Sequence, residues 1–345
     1  MIRICSSLAN AGYKIMLVGR ENSFSAPLCS QPFKQKRLRI FFEKGPAFYL
    51  EYNLRLFFYL LFKNCDCICA IDLDTILPVY FVSTLRNKKR IYDAHEYFSQ
   101  LKEVITRPAI YKIWHTIEKA MVPRFALGYT VSNSISGEFT RLYGVKYDTI
   151  RNMPLQTSQT TSLARNKNII YQGAVNEGRG FEYLIPAMEN VNAVLMIYGD
   201  GNFMEQAREI TDEHNLNDKI IFKGKLLPED LDKITAEGYL GINLVENIGL
   251  NQYYSLANKF FDYVQHGVPQ VTMDFPEYRS LNTQFEVAVL IADLQPSLIS
   301  AALNKILNDA VLHETLKLNC KVAGTFWNWQ NEEKKLIAFY KQIFG

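Results

Sequence analysis

Short apolar runs alternate with helically spaced apolar residues along most of the chain. Residues 13–19 (YKIMLVG), 65–72 (CDCICAID), 89–95 (KRIYDAH) and 126–132 (ALGYTVS) have the length and composition of buried strands. Helical patterns fill the intervals at 45–63, 74–87 and 107–126. The alternation pauses at 153–168 (MPLQTSQTTSLARNKN), a polar, Thr- and Ser-rich run that reads as a linker. It then resumes. Strands are expected at 169–174, 193–201, 219–225, 239–245, 269–274 and 287–293, with helices between them and a wholly helical tail over 298–344. Buried strands alternating with helices predict an α/β protein of two doubly wound, Rossmann-like domains, with a ligand cleft facing the carboxyl ends of the strands. The opening, MIRICSSLANAG, is helical, with Ile2, Cys5, Leu8 and Ala9 at helical spacing and Gly12 as terminator.

The length of 345 residues suits two domains. None of the six cysteines has zinc-finger spacing, and they read as reduced, packed thiols of a cytosolic protein. Residues 48–62 are the most apolar window, but the window is short and carries Glu51 and Arg55, so it is not a transmembrane helix. It is either a core helix or an exposed apolar surface. Charge is uneven. Residues 1–152 hold 22 Lys and Arg against 12 Asp and Glu, whereas residues 153–345 hold 16 against 23. A basic front half, with FKQKRLR at 33–39 and NKKR at 87–90, suggests an anionic partner: a membrane surface, a nucleic acid or a phosphorylated substrate. Interleaved aromatic and basic motifs of the nucleic-acid-binding kind are absent, so no nucleic-acid partner is expected.

Two turns and one helix carry candidate chemistry. In YQGAVNEGRGFEYLI a strand ends at Gly173 and a helix opens near Gly180, with Arg179 in the loop, a pattern suited to a phosphate. MIYGDGNF adds a second turn with Gly199 and Gly201 about Asp200. In YYSLANKFFDYVQHGVPQV, Ser255 is expected as the N-cap of a helix over about 256–266. Asn258 and Asp262, four apart, share a face; Lys259 adds charge, and Asp262 is placed to accept ribose hydroxyls. In the front half, Asp93, His95 and Glu96 cluster at a strand end. The other four histidines fall in helical patterns, and no histidine has metal-ligand spacing, so no metal is expected.

These stretches resemble the GT-B glycosyltransferases, specifically the large retaining family 4. LANKFFDYVQHGVPQV resembles that family's Pro-Asn-Lys-x-Phe-Glu-Tyr segment followed by Gly-x-Pro-Val, and GAVNEGRGFEYLIPA resembles its phosphate loop. IYDAHEYF and VSNSISGEFTRLYGV…IRNMP resemble the end of its acceptor-side domain, and FWNWQNEEKKLIAFY its closing helices. The resemblance implies an acceptor-side domain over 1–155, a donor-binding domain over 166–325, and a C-terminal helix over 326–345 packing back on the first. In that family an opening strand precedes the first helix, so about 15 residues are expected to be absent here, through a start placed too late or a natural shortening of the chain.

The activity implied is transfer of a sugar from a nucleotide-sugar to a glycan, lipid-linked or other cell-envelope acceptor, retaining and without metal or other cofactor. The place implied is the cytoplasm, peripheral on the inner membrane face. Gly173, Arg179, Gly199, Ser255, Asn258, Lys259 and Asp262 would bind the donor; His95 would be catalytic; Asp93 and Glu96 would lie on the acceptor side. The chain departs from the family at Tyr254, where a carboxylate is usual, at Ala174, where the phosphate loop has Arg, and at Ala257, where the motif has Pro. Asp262 is one methylene shorter than the usual Glu. The departures leave open an alternative, a non-catalytic nucleotide-sugar-binding protein that assists a partner enzyme.

Overall fold

The computed structural model describes residues 1–23, 25–156 and 167–345. These residues form two compact units, Met1–Arg151 with Glu332–Gly345, and Asn152–Asn331. Residues 157–166, the heart of the expected linker, lie outside the described residues.

The first unit runs α1 (Ile2–Asn10), β1 (Met16–Glu21), β2 (Lys34–Arg39), α2 (Gly45–Leu61), β3 (Cys67–Ile71), α3 (Ile76–Leu85), β4 (Lys89–Ala94), α4 (Lys102–Ile105), α5 (Pro108–Met121), β5 (Gly128–Thr130), α6 (Asn133–Tyr143) and β6 (Asp148–Thr149). All its strands pair in parallel, but in two separate sheets, β1–β2 and β3–β4–β5–β6. The basic run at 33–39 is therefore a strand for most of its length, in register with β1 from Met16↔Lys34 to Glu21↔Arg39. An edge strand tolerates such charge, because one side of its ladder faces water. The core is aromatic: Tyr92, Tyr129 and Phe139 are fully buried, and Tyr92 stacks on Phe139. Local signals end the elements as chemistry requires. Ser132 Oγ accepts the Ile135 N–H at 3.2 Å to cap α6, and Gly144 closes that helix with φ +70°.

The second unit follows with β7 (Asn168–Gln172), α7 (Phe181–Ala187), β8 (Val194–Tyr198), α8 (Met204–Glu213), β9 (Ile220–Gly224), α9 (Pro228–Glu237), β10 (Leu240–Asn243), α10 (Leu250–Tyr253), α11 (Asn258–Gln265), β11 (Gln270–Met273), α12 (Pro276–Gln284), β12 (Ala288–Ile291), α13 (Pro296–Asn308) and α14 (Ala310–Phe326). Its six strands form one parallel sheet in the order β12-β11-β10-β7-β8-β9. The final helix, α15 (Trp329–Phe344), belongs to the first unit from Glu332 onward. There Glu332 Oε2 accepts the Arg151 N–H at 2.9 Å, and Phe339 meets the Tyr129 ring edge-on.

All six cysteines are free. Cys29 is exposed, so it is not one of the packed thiols expected from sequence: it sits on the long connection between β1 and β2. Among the described residues no helix is long and apolar enough to cross a membrane.

Candidate active site

β7 is flanked by β8 on one side and β10 on the other, so the strand order reverses there. At such a switch point the loops leaving the strands diverge and open a crevice at their carboxyl ends. Gly173 follows β7 directly. Its φ of +120° is a conformation that side chains resist, and a Cβ there would lie 3.5 Å from Lys259 Cε and 3.6 Å from Nζ. Gly199 follows β8 and serves a different need. A Cβ on it would stand 1.8 Å from the Gly173 carbonyl oxygen, so the two strand ends can touch only through a glycine. Its requirement is close backbone packing beneath the crevice.

α11 brings the other side chains to this place. It begins at Asn258, with Ala257 as N-cap and no side-chain cap. The expected Ser255 cap is thus corrected. The short α10 ends immediately before, and Ser255 Oγ closes it by donating to the Gln252 carbonyl at 2.8 Å. The Ala257 N–H is held instead by the buried Tyr278 hydroxyl at 2.9 Å. Asn258 is exposed, and its Oδ1 accepts from Asn152 Nδ2 at 3.1 Å.

Asp262, one turn on, is half-buried, with the Gln172 amide donating to its Oδ2 at 3.2 Å. Thr235 Oγ1 donates to Gln172 Oε1 at 2.7 Å and completes the chain of bonds. Gln172 was not singled out from sequence. Its signal in the sequence is a polar amide that ends the apolar run IIYQ, just before a glycine, and the structure buries it.

Lys259 is buried, and its Nζ has no hydrogen-bond partner among the described residues. The ammonium lies 3.6 Å from the centroid of the Tyr171 ring, a cation–π contact. Burial pushes its pKa well below the ordinary lysine value; the nearby Arg179 guanidinium pushes the same way, and Asp262 opposes. Arg179 itself is half-buried in the loop before α7. Two cations converge where one of them lacks an acceptor, beside a glycine whose missing side chain leaves room. A multivalent anion satisfies all three conditions.

The first unit holds a second cluster at the ends of β3 and β4. Asp93 is fully buried; Tyr129 Oη donates to its Oδ2 at 2.9 Å, and His95 Nε2 stands 3.1 Å from its Oδ1. Its geometry is that of a group that orients His95. His95 is partly exposed and Glu96 is exposed. Both their backbone N–H groups donate to Asp72 Oδ1, at 2.8 and 3.1 Å. Asp72 is a non-glycine residue with φ +54°. Burial pushes its carboxyl up to about 7; His95 opposes this, and Asp93, Glu96 and Asp74 add to it. For His95, burial disfavours the charged ring, but Asp93 and Asp72 outweigh it, and its pKa is raised. Asp72 was read from sequence only as the end of a strand, because its partners lie more than twenty residues onward.

Residues 166–309 match the family model "Glycosyl transferases group 1". A comparison of the sequence with curated proteins finds no match. Among solved structures, the chain is similar to sucrose-phosphate synthase from Thermosynechococcus elongatus, with a TM-score of 0.80 at 17% identity over 99% of this chain and 92% of that one. It is also similar to Anabaena HepE in complex with UDP, at 0.75 and 12% over 96% and 100%. A third is WaaG, a glycosyltransferase involved in lipopolysaccharide biosynthesis, at 0.70 and 12% over 97% and 93%. Residues 166–309, from β7 to α13, thus match a group 1 glycosyltransferase domain, and the parallel sheets flanked by helices in both units give the chain the GT-B fold of these structures.

Proposed function

We propose that the chain moves a sugar from a nucleotide-sugar donor to a glycan, lipid-linked or other cell-envelope acceptor. The observation that carries this reading is the unpartnered, buried Lys259 ammonium, set beside Arg179 and the bare backbone of Gly173. Leaving an ammonium buried without an acceptor is costly, and a diphosphate removes that cost. In this reading the donor's phosphates lie against Gly173, Arg179, Lys259 and the first N–H groups of α11, near Ser255 and Asn258. The ribose hydroxyls donate to Asp262, which Gln172 holds in place. Gly199 lets the floor of the site pack closely. HepE has been solved with UDP and with UDP-glucose, which supports a nucleotide-sugar as the donor class here.

Lys259 and Arg179 supply positive charge where a leaving diphosphate gains negative charge, so the reaction proceeds without metal or other cofactor. Transfer is retaining. Residues 166–325 bind the donor and residues 1–155 the acceptor. There His95, oriented by Asp93, is the catalytic contact, and the exposed Glu96 faces the acceptor. The enzyme works in the cytoplasm, peripheral on the inner membrane face, where lipid-linked acceptors are presented.

The test is a thermal-shift and turnover panel. UDP, GDP, their sugars and the free nucleosides are each added to the wild-type chain. A nucleoside diphosphate that binds only the native state at 100 times its dissociation constant raises stability by about 2.7 kcal/mol. Stabilisation by one nucleoside diphosphate and release of it from one sugar conjugate are expected. No shift with any of them overturns the reading.

A further inference from the structure

The helix α2 turns one apolar face inward and a second one outward. Tyr52, Leu56 and Leu60 are buried. On the other side Leu50, Leu54 and Phe58 recur every fourth residue and are 64%, 50% and 57% exposed, and Phe62, just past the helix end, is 80% exposed. Phe41 and Phe42, on the loop leading into α2, are exposed as well. A surface helix ordinarily carries polar residues on its outer face, and a contiguous apolar row of this size marks an interaction site.

Charge frames the row. An open groove of about 820 Å³ runs between α2 and β2, with Leu54 and Phe58 on its apolar side and Lys36, Arg37 and Arg39 on the other. Its two acids are already engaged. Glu21 pairs with Arg39 at 3.2 Å, and Glu51 with Arg55 at 2.8 Å while also accepting the Phe41 and Phe42 N–H groups. Lys44 and Lys63 flank the two ends of α2 and are exposed.

We infer that this face of the first unit docks onto an anionic lipid bilayer, with Leu50, Leu54, Phe58 and Phe62 entering the interface and the β2 cations meeting phosphate headgroups. The charge pattern selects this occupant. Cations beside an apolar row, with the local acids neutralised, match a surface whose apolar interior lies under a layer of negative headgroups. The inference deepens the membrane side of the proposed function and rests on it. Vesicle binding is read without turnover and nucleotide binding without vesicles, so either can fail while the other stands.

The experiment is vesicle co-sedimentation of the full chain with phosphatidylcholine alone and with phosphatidylcholine:phosphatidylglycerol 3:1, at low and high salt. Binding to the anionic vesicles at low salt, weakened by high salt and by pure phosphatidylcholine, is expected. K36A/R39A should lose about 30-fold in affinity, from about 1 kcal/mol per cation near a charged surface. L54S/F58S should abolish pelleting while leaving the melting temperature and nucleotide binding unchanged, since both side chains are exposed. The oligomeric state of wild type and L54S/F58S is measured in parallel. No pelleting of the wild type at low salt overturns the inference. So does a wild-type dimer that L54S/F58S converts to monomer, because the face would then belong to a second copy. Equal binding to neutral vesicles removes the role of the cations and overturns it too.

Discussion

The Lys259 ammonium rests 3.6 Å from the centre of the Tyr171 ring and donates to no acceptor among the described residues. A ring face recovers only part of what a buried ammonium loses on leaving water. The site therefore stores a cost in the free protein that an anionic ligand removes.

Lys259→Met should separate stability from binding. Methionine keeps the length and packing and discards the charge, so the melting temperature should hold or rise. Affinity for a nucleoside diphosphate should fall roughly 10- to 100-fold, the scale of a lost charge-assisted hydrogen bond. The pH dependence follows from the lowered pKa. Between that lowered value and the ordinary lysine range the unfolded chain binds a proton that the folded chain does not. Stability must then rise with pH across that window, and Lys259→Met should flatten the rise. Denaturant titrations of both proteins from neutral to alkaline pH measure it; identical slopes would show that the ammonium is not buried in the free protein.

Much of this was legible in the order of the residues. The strands and helices of the second unit follow the pattern of apolar runs, because both faces of a parallel sheet are covered and its strands read as continuous apolar segments. β2 defeated that logic. Lys34, Lys36, Arg37 and Arg39 give no apolar signal, and only pairing with β1 makes the segment a strand. The polar residues at the front of α11 were visible, but its start was placed too early, because Ser255 is spent on the preceding turn and Tyr278, twenty-one residues after Ala257, holds the cap position. The demand on Gly199 was invisible for the same reason, since it comes from the carbonyl of Gly173 on another loop.

Asp72→Asn should change the pH dependence of the first unit. The asparagine Oδ1 can still accept the His95 and Glu96 N–H groups, so the local fold should survive. Burial holds the Asp72 carboxyl at about 7, above its ordinary 3.8. A raised acid binds its proton more tightly in the folded state. Its contribution is complete below the unfolded value and is lost as pH rises through about 7. Asp74, raised to about 6, and His95 have the same sign. Wild-type stability should fall between about pH 4 and 7, by about 1.4 kcal/mol for each tenfold of displaced proton affinity. The Asp72→Asn variant should show a shallower fall. Chemical unfolding followed by the fluorescence of Trp114 reports on this unit; an unchanged slope would count against the assignment.

Gly173→Ala should cost twice. At φ +120° an alanine is strained, by about 1–3 kcal/mol. Its methyl group would also sit 3.6 Å from Lys259 Nζ, in the space an anion needs. Calorimetry should show a lower melting temperature, and titration a larger affinity loss for the diphosphate than for the nucleoside. Equal losses for both ligands would mean that strain alone explains the variant.

Arg179→Ala and Asp262→Asn should fail in opposite ways. Arg179 lies close enough to Lys259 to push its pKa down, so the two cations share one region of the crevice. Arg179 should therefore act on phosphate and not on the nucleoside. Asp262 sits one turn deeper, its Oδ2 accepting from the Gln172 amide, and a carboxylate is the side chain suited to accept from two neighbouring hydroxyls. Arg179→Ala should weaken the nucleoside diphosphate roughly 10- to 100-fold and leave the nucleoside within a factor of about two. Asp262→Asn should weaken diphosphate and nucleoside by similar factors, and a 2′,3′-dideoxy nucleoside diphosphate should be insensitive to it. Isothermal titration of the two variants with the three ligands gives six affinities. If Arg179→Ala weakened nucleoside and diphosphate equally, its phosphate role would fail. If the dideoxy ligand still responded to Asp262→Asn, the ribose contact would fail, and the carboxylate would be left as a support for Gln172.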